Sequence, residues 1–558
     1  MMPSTCISEE SKCIVETADG PVCGYKNKAE ETYYQFKGIP YAKPPLKCLR
    51  FMPPSQIAPW KEVKDCTKDA PVPLQYYMWK YGTGSEDCLY VDVMTPNIQP
   101  EKPLPVMFWI GCQSFMYTLD PIYDASLLVA QGVIFVRCGF RMGPFGFLTS
   151  QDMSAPGNCG LKDIVMALKW VQRNIHSFGG DSNNVTIFGS SSGGTIVHLM
   201  TLSPMATGLF HKAIIQSLSA LNTWTLTKTP LKLITDLAHQ LNIQKTNRIE
   251  IVEELRSLSA EEIMKAFGVL VETFWKDRKR AIIELLVKPC VEIEFEGQPA
   301  FLSRSPDSIL KIGHINKVPL IIGSINVEAS VLEIVRCDFY KNFEVFNQNE
   351  HLIVPRALTG EKKVSKEIGQ KLLQFYLGGE EHLREDTKTQ YVQLLTDYYF
   401  LYHINKTVTM HVHLAPECPV YYYVLNCAGQ WSVPPKYKFF NSLGHYAEMP
   451  FIFKLKLSEY HNRGRGSKDS ITTRKRVTRM WTNFAKYGNP TPEANDRLLQ
   501  VQWDPVEDSE NINYLNIATE LTKGRNPFQE RIEFWDNLHK EHTFLRTLVY
   551  INELGIHW

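Results

Sequence analysis

Residues 185–202 read VTIFGSSSGGTIVHLMTL. The first four are β-branched or aromatic, as in a buried strand, and the residues after Gly193 have the pattern of a helix. Between them lies the pattern Gly-x-Ser-x-Gly, with Ser191 at its centre. A strand that enters this pattern and a helix that leaves it indicate a sharp turn that presents the middle serine above a sheet. A serine-rich helix N-cap is the alternative without catalytic chemistry.

The sequence on either side of this turn predicts alternating strands and helices. A helical period runs through residues 160–177 and stops at Gly179 and Gly180. The segments 37–42 and 88–93 alternate more like an antiparallel lead-in. Continuous apolar runs typical of strands buried on both faces occur at residues 105–111, 132–140, 213–218, 318–325 and 420–425. We therefore predict an α/β fold whose large, mostly parallel central sheet has helices on both faces.

Length and composition exclude several classes of protein. Apolar residues make up 44% of the 558, and 60 Lys and Arg nearly balance 59 Asp and Glu, which argues against a nucleic-acid partner. No apolar run reaches the roughly 18–20 residues of a transmembrane segment. The first 20 residues lack a signal-peptide pattern, so we expect a cytoplasmic protein. No linker divides the chain, which predicts one domain over residues 1–558 with a helix-rich insertion at roughly 230–400.

A serine nucleophile needs a base, and the base needs a carboxylate that orients it. In hydrolases with this turn the chain order is serine, acid, histidine. Glu328 follows the strand pattern VPLIIGS, and His445 lies in the turn-rich stretch NSLGHYAEMPF. Glutamate is common and a lone histidine is more often structural than catalytic. The prediction of a Ser191–His445–Glu328 triad therefore depends on chain order and loop placement together.

At these residues the chain resembles the type-B carboxylesterase/cholinesterase family of α/β-hydrolases, and among them the intracellular insect α-esterases. The resemblance spans nearly the whole chain through collinear segments: KGIPYAKPP (37–45), SEDCLYVDVMTP (85–96), FRMGPFGFL (140–148), PGNCGLKDIVMALKWVQRNIHSFGGD (156–181), NVTIFGSSSGG (184–194), GLFHKAIIQS (208–217), GSINVEA (323–329), LGHYAEMPF (443–451) and TNFAKYGNP (482–490). It implies that Ser191 is the nucleophile, His445 the general base and acid, and Glu328 the residue that orients His445. It also implies that Cys66 and Cys88 are a candidate disulfide pair, which a reducing cytoplasm would often leave as neighbouring thiols.

The chain departs from this family in the loop that forms the oxyanion hole. The family carries a glycine-rich HGGG-like loop there, whereas this chain reads GCQSF at residues 111–115. The resemblance places the backbone amides of Gln113 and Ser114 in the hole, with the amide of Ser192 as the third donor. Residues other than glycine reach such loop conformations at a cost of about 1–2 kcal/mol each, and we expect the Gln113 side chain to add bulk facing the nucleophile. Ser190 also replaces the acidic residue usual before the nucleophile.

Two hypotheses for the function follow. The first is a serine carboxylesterase that hydrolyses small hydrophobic esters through an acyl-enzyme, with turnover reduced by the atypical loop. The second is a weakly active or non-catalytic esterase-like protein that binds hydrophobic ligands or contacts other proteins. Neither needs a metal or an organic cofactor, and the sequence specifies no oligomeric state. His411 and His413 form an HxH pattern without further ligands nearby, so we interpret them as structural rather than metal-binding.

Overall fold

The structure, a computed structural model of the chain, describes residues 11–27, 32–77, 80–276, 284–330, 342–355, 358, 362–379, 382–431, 441–456 and 466–553. Within these ranges the strands are β1 Lys12–Thr17, β2 Gly20–Asn27, β3 Tyr33–Pro40, β4 Lys64–Asp65, β5 Gln75–Tyr77, β6 Lys80–Thr83, β7 Tyr90–Thr95, β8 Leu104–Trp109, β9 Tyr123–Asp124, β10 Ile134–Cys138, β11 Gly180–Ser190, β12 Lys212–Gln216, β13 Leu320–Ile325, β14 Val420–Leu425, β15 Lys454–Leu455, β16 Asn513–Ile517 and β17 Leu521–Arg525.

The helices of the described ranges alternate with these strands through much of the chain. They are α1 Ser126–Val129, α2 Gly143–Phe147, α3 Cys159–Asn174, α4 Ser192–Leu202, α5 Lys232–Gln240, α6 Arg248–Ser257, α7 Ala260–Lys276, α8 Pro306–Ile312, α9 Phe343–Gln348, α10 Lys362–Leu377, α11 Lys388–Thr396, α12 Tyr402–Leu414, α13 Met449–Ile452, α14 Lys468–Tyr487 and α15 Gln529–Glu553. None of them combines the length and the apolar character needed to cross a membrane.

A 13-stranded sheet organises the described residues. Its order is β1-β2-β3-β7-β10-β8-β11-β12-β13-β14-β16-β17, with β4 paired to β2. The strands from β10 to β16 in this order are parallel to their neighbours, and the flanking pairs are antiparallel. The predicted α/β-hydrolase architecture, a mostly parallel sheet with an antiparallel lead-in, is confirmed.

Successive residues of the central strands face two separate hydrophobic cores. Phe108 and Ile187 pack into the core that also contains apolar side chains of α3 and α4. Trp109 and Phe188 pack into the other core, together with Trp481 of α14. Because both faces are covered, each strand reads as a continuous apolar run.

The helix predicted at residues 160–177 is α3, extended by a 3₁₀ turn over Ile175–Phe178 and ended by Gly179 at φ 82°. The following strand begins at Gly180, earlier than the predicted start near Val185, with a register shift between Gly180 and Val185. The polar residues between them hide this part of the strand from an apolar pattern. Helices α5–α8 lie between β12 and β13, and α9–α12 between β13 and β14, within and beyond the helix-rich stretch predicted at 230–400. The single-domain organisation of residues 1–558 stays a prediction.

Candidate active site

The sharp turn predicted at Ser191 joins β11 to α4. The strand ends at Ser190 and the helix begins at Ser192, so Ser191 alone connects them, with φ 59° and ψ −129°. Residues other than glycine populate these angles sparsely, and such strain is typical of functional sites. The Ser191 amide donates to the carbonyl of Gln216 over 3.0 Å, which fixes the turn against β12.

Two glycines after the turn allow α4 to pack closely against the sheet. A Cβ at Gly193 would lie 2.3 Å from the carbonyl oxygen of Ile110, and a Cβ at Gly194 would lie 2.5 Å from that of Gln216. Both separations are shorter than any real side chain accepts. The final glycine of the Gly-x-Ser-x-Gly pattern is therefore required by close packing.

His445 and Glu328 form a buried pair at the ends of their segments. The Nδ1 atom of His445 lies 2.7 Å from Oε2 of Glu328, and the His445 amide donates to the Glu328 carbonyl over 3.1 Å. The other carboxylate oxygen accepts the Ile325 amide over 2.8 Å, which fixes Glu328 at the end of β13. Since a carboxylate oxygen can only accept, the ring carries its hydrogen on Nδ1 and leaves Nε2 as a base.

The hydroxyl of Ser191 is engaged by a residue that the sequence did not identify as functional. Tyr446 donates its hydroxyl to Ser191 Oγ over 2.9 Å. Its ring lies against that of His445, with centroids 4.4 Å apart. Between Ser191 and His445, both in the described part of the chain, no hydrogen bond is formed. In this resting arrangement the serine is therefore bonded to the tyrosine and not to its predicted base.

The predicted oxyanion loop is folded into a tight turn. The carbonyl of Gln113 accepts the amides of Met116 and Tyr117 over 3.0 and 3.2 Å, and the Gln113 amide donates to the Tyr117 carbonyl over 2.8 Å. Ser114 and Phe115 at its tip have φ of 53° and 59°. Positive φ at both central residues is the pattern of a type I′ turn, which asparagine and glycine adopt more readily.

This turn changes what can be expected of Gln113. Its amide is already bonded to Tyr117, so of the three predicted donors only the amides of Ser114 and Ser192 remain for an oxyanion. Ser192 is the first residue of α4, where the amide has no partner within the helix. The Gln113 side chain is also engaged within this segment, because its Oε1 accepts the Leu119 amide over 3.0 Å.

A second buried carboxyl group, that of Glu448, lies next to the residue that precedes Ser191. Ser190 donates a short hydrogen bond to its Oε1, and Ser217 approaches the same oxygen at 3.5 Å, while Oε2 has no partner among the described residues. Burial, followed by the negative charge of Glu328, raises the pKa of Glu448 to about 7. The position before Ser191, acidic in the resembled family, is Ser190 here, and it hydrogen-bonds to this carboxyl group.

The raised pKa of Glu448 should make stability depend on pH. In the unfolded chain this carboxyl ionises near 4.5, whereas in the fold it keeps its proton to about 7. Its contribution to the free energy of unfolding is therefore complete below about pH 4.5 and is lost as the pH rises to about 7, by roughly 3 kcal/mol. Glu448→Gln keeps an acceptor for Ser190 and cannot ionise. The free energy of unfolding of Glu448→Gln, taken relative to that of wild type, should therefore rise by roughly 3 kcal/mol between pH 4.5 and pH 7.5.

Denaturant unfolding of both proteins at the two pH values measures this difference. Glu530→Gln, an exposed substitution in α15, controls for the change of side chain itself. An equal gap between Glu448→Gln and wild type at both pH values would contradict the assignment.

The pairing of Cys66 with Cys88 stays a prediction. Cys66 and Cys88 are both buried free thiols. The two thiols have different ionisable neighbours. Cys23 is one of the neighbours of Cys66, whereas Asp163 and Arg141 are neighbours of Cys88. Burial raises the pKa of the Cys66 thiol to about 12, which makes it unreactive.

His411 of the HxH pattern forms a buried pair with His198, a residue that the sequence did not single out. Their Nε2 atoms lie 3.0 Å apart, and Nδ1 of His198 accepts the Ala220 amide over 2.9 Å. His198 therefore carries its hydrogen on Nε2 and donates it to His411. Burial lowers the pKa of His411 to about 4, so the pair is neutral. Across the described residues, no group of three or more His, Cys, Asp or Glu side chains is placed to hold a metal ion.

Comparison with known proteins gives a consistent result. The chain matches the model of the carboxylesterase family over residues 11–535. It is 31% identical to juvenile hormone esterase of Tribolium castaneum over 95% of this chain and 94% of that protein. It is 32% identical to para-nitrobenzyl esterase of Bacillus subtilis over 93% of this chain and 97% of the relative. A crystal structure of juvenile hormone esterase from Manduca sexta, with OTFP covalently attached, superposes with a TM-score of 0.80 at 27% identity, covering 95% of this chain and 100% of that one.

Proposed function

Because the chain belongs to the carboxylesterase family, we propose that it hydrolyses carboxylic esters of apolar small molecules through Ser191, His445 and Glu328. Ester hydrolysis is common to the relatives, as their names state, whereas the esters in those names differ. The proposal therefore fixes the reaction and the chemical class of the substrate. It includes the cytoplasmic location predicted from the sequence, and the triad works without a metal or an organic cofactor.

The observation that carries the proposal is the His445–Glu328 pair beside a serine on a strained turn. In the proposed reaction Ser191 Oγ bonds to the ester carbonyl carbon and passes its proton to Nε2 of His445. The C=O π pair moves onto the carbonyl oxygen and returns as the C–O bond to the alcohol breaks, and His445 protonates the departing alkoxide. Water then gives a proton to His445 and bonds to the acyl carbon, the bond from that carbon to Ser191 Oγ breaks, and His445 returns the proton to Oγ as the acid leaves.

The resting geometry requires one movement before this chemistry. Ser191 Oγ accepts the hydrogen of the Tyr446 hydroxyl and keeps its own hydrogen, which must come within hydrogen-bond distance of Nε2 of His445. Rotation of the serine side chain changes where this hydrogen points and leaves the backbone of the turn in place.

A second candidate function, binding of a hydrophobic ligand without turnover, is favoured by the loop. The Gln113 amide is committed to Tyr117, and loss of one oxyanion donor costs about 100- to 1,000-fold in turnover. A protein of this kind would keep its pocket and bind an apolar ester without cleaving it.

Ser191→Ala is expected to abolish both labelling by a serine-reactive phosphonate and turnover of p-nitrophenyl acetate. Its effect on kcat should be at least about 10⁴-fold, because the nucleophile acts as a unit with its base. Mass spectrometry of the labelled protein and steady-state kinetics measure the two effects. Ser192→Ala is the matched control, since it keeps the backbone amide and removes a neighbouring hydroxyl that has no hydrogen-bond partner in the part of the chain that the structure describes.

Wild-type protein that neither reacts with the phosphonate nor cleaves the ester would refute the hydrolase proposal. If that protein still binds a non-cleavable apolar ester analogue by calorimetry, the second candidate function is the correct one. Labelling that persists in Ser191→Ala would place the nucleophile at another residue.

A further inference from the structure

Tyr446 contacts Ser191 and lies near the predicted oxyanion loop. Its hydroxyl donates to Ser191 Oγ over 2.9 Å. The groups that act electrostatically on its phenol include Tyr117 and Cys112, which belong to the loop and its turn. The hydroxyl that bonds to Ser191 therefore also lies near the segment in which the resemblance places the oxyanion donors.

The predicted oxyanion loop offers one backbone donor fewer than the resemblance implies, because the Gln113 amide is already engaged. The Gln113 amide closes the turn by donating to Tyr117 over 2.8 Å. Releasing it would break this bond and open a turn that the Met116 and Tyr117 amides also hold. The Tyr446 hydroxyl, which donates to Ser191 Oγ, lies near the position where the Gln113 amide would bind the carbonyl oxygen of the ester.

We propose that the Tyr446 hydroxyl is an oxyanion donor that replaces the Gln113 amide, so that Tyr446 is a catalytic residue. This inference rests on the proposed function. Together with the amides of Ser114 and Ser192, it completes a set of three donors around the carbonyl oxygen of the ester.

The hydrogen bond that Tyr446 makes at rest prepares it for this role. When Ser191 Oγ bonds to the carbonyl carbon, the C=O π pair moves onto the carbonyl oxygen, which becomes an anion attached to the same carbon as Oγ. The phenol can then shift its hydrogen bond from a neutral oxygen to a charged neighbour. Such charge-assisted bonds are about twice as strong as neutral ones. The gain occurs in the transition state and not in the ground state, which is the condition for catalysis.

Two further features of Tyr446 agree with this role. Its φ is 74°, a left-handed conformation that bulky residues seldom adopt and that persists where the surroundings impose it. Burial raises the pKa of its phenol well above the ordinary value, so the hydroxyl retains the hydrogen that a donor needs.

Tyr446→Phe, which removes the hydroxyl alone, tests the proposal. We expect kcat for p-nitrophenyl acetate to fall about 100- to 1,000-fold while KM changes little. The affinity for an aryl trifluoromethyl ketone, which forms a tetrahedral adduct carrying an oxyanion, should fall by a similar factor. A purely structural role would not produce this parallel loss.

Tyr123→Phe is the matched control because Tyr123 is a neighbour whose buried hydroxyl has no hydrogen-bond partner in the described residues. It should keep both kcat and the ketone affinity. Tyr446→Gly provides a second variant, which relaxes the positive φ and uncovers Ser191. We expect it to lose activity as Tyr446→Phe does.

Wild-type turnover with an unchanged or higher kcat in Tyr446→Phe would overturn the proposal and leave the hydrolase function intact. A higher kcat in Tyr446→Gly would instead identify the tyrosine as a cap that inhibits Ser191. Failure of the proposed function is recognised separately, because wild-type protein would then show neither labelling nor turnover, and the role of Tyr446 would be refuted with it.

Discussion

Replacement of Glu328 by glutamine is expected to lower kcat for p-nitrophenyl acetate by about 10⁴-fold with little change in KM. The glutamine Oε1 can still accept the Ile325 amide, which now bonds to Glu328 over 2.8 Å, so the local fold is retained. The amide group can instead donate towards Nδ1 of His445, which favours the tautomer with hydrogen on Nε2. A ring in that state cannot accept the proton of Ser191, and the imidazolium loses its partner carboxylate. Steady-state kinetics measure this loss.

Glu448→Gln is the matched comparison for this prediction. Glu448 is also a buried glutamate near the nucleophile, but it accepts hydrogen bonds from Ser190 and Ser217 and none from His445. Its replacement should therefore cost far less kcat than that of Glu328. Equal losses in the two variants, or a Glu328→Gln enzyme within tenfold of wild type, would contradict the orienting role of Glu328.

The fold could be predicted from the sequence because the central strands are buried on both faces. The run at β14 is one example, since all six of its residues are buried. The turn at Ser191 was equally readable, because strand, glycine, serine and helix stand in direct succession. The start of β11 was not, since its first half is polar and carries no periodic signal.

The details of the candidate site depended on contacts that the sequence does not encode locally. Ser114 and Phe115 adopt positive φ in the oxyanion loop although neither is glycine or asparagine. Tyr446 stands next to His445 in the sequence, but only its own positive φ and the position of Ser191 on another segment bring the two hydroxyls together. Family resemblance assigned the oxyanion loop to these residues, yet it could not reveal that the Gln113 amide is bonded to Tyr117.

A buried ion pair lies in the segment that contacts this loop. Arg141 donates to both carboxylate oxygens of Asp163 over 2.8 and 2.7 Å, and its backbone amide donates to the same group over 3.1 Å. Arg141 also supplies the carbonyl against which Gly160 packs. Gly143, two residues further on, donates its amide to the Phe115 carbonyl over 2.8 Å. The ion pair therefore stabilises the segment that contacts the turn at Phe115 through the Gly143 amide.

Asp163→Ala is expected to lower the free energy of unfolding by about 3–5 kcal/mol. The side chains of Arg141 and Asp163 are 3% and 0% exposed, so the substitution leaves a guanidinium in the interior without a counter-charge. That group cannot escape by losing its proton, because guanidinium stays protonated in proteins. Denaturant unfolding measures the loss. Asp236→Ala breaks an exposed pair with Lys232 and should cost no more than about 1 kcal/mol.

The double variant Arg141→Met with Asp163→Leu separates the charge from the packing. Burial of two charges costs desolvation free energy that their attraction offsets only in part. Even in the intact pair, Nη1 of Arg141 has no hydrogen-bond partner within the described ranges. An apolar pair of similar volume should therefore recover most of the stability that Asp163→Ala loses. If the double variant is as unstable as the single one, the loss arises from the displaced backbone around Gly160 and not from the unpaired charge. Reactivity of the double variant with the phosphonate then shows whether the predicted oxyanion turn requires the ion pair itself or only side chains of similar volume at these two positions.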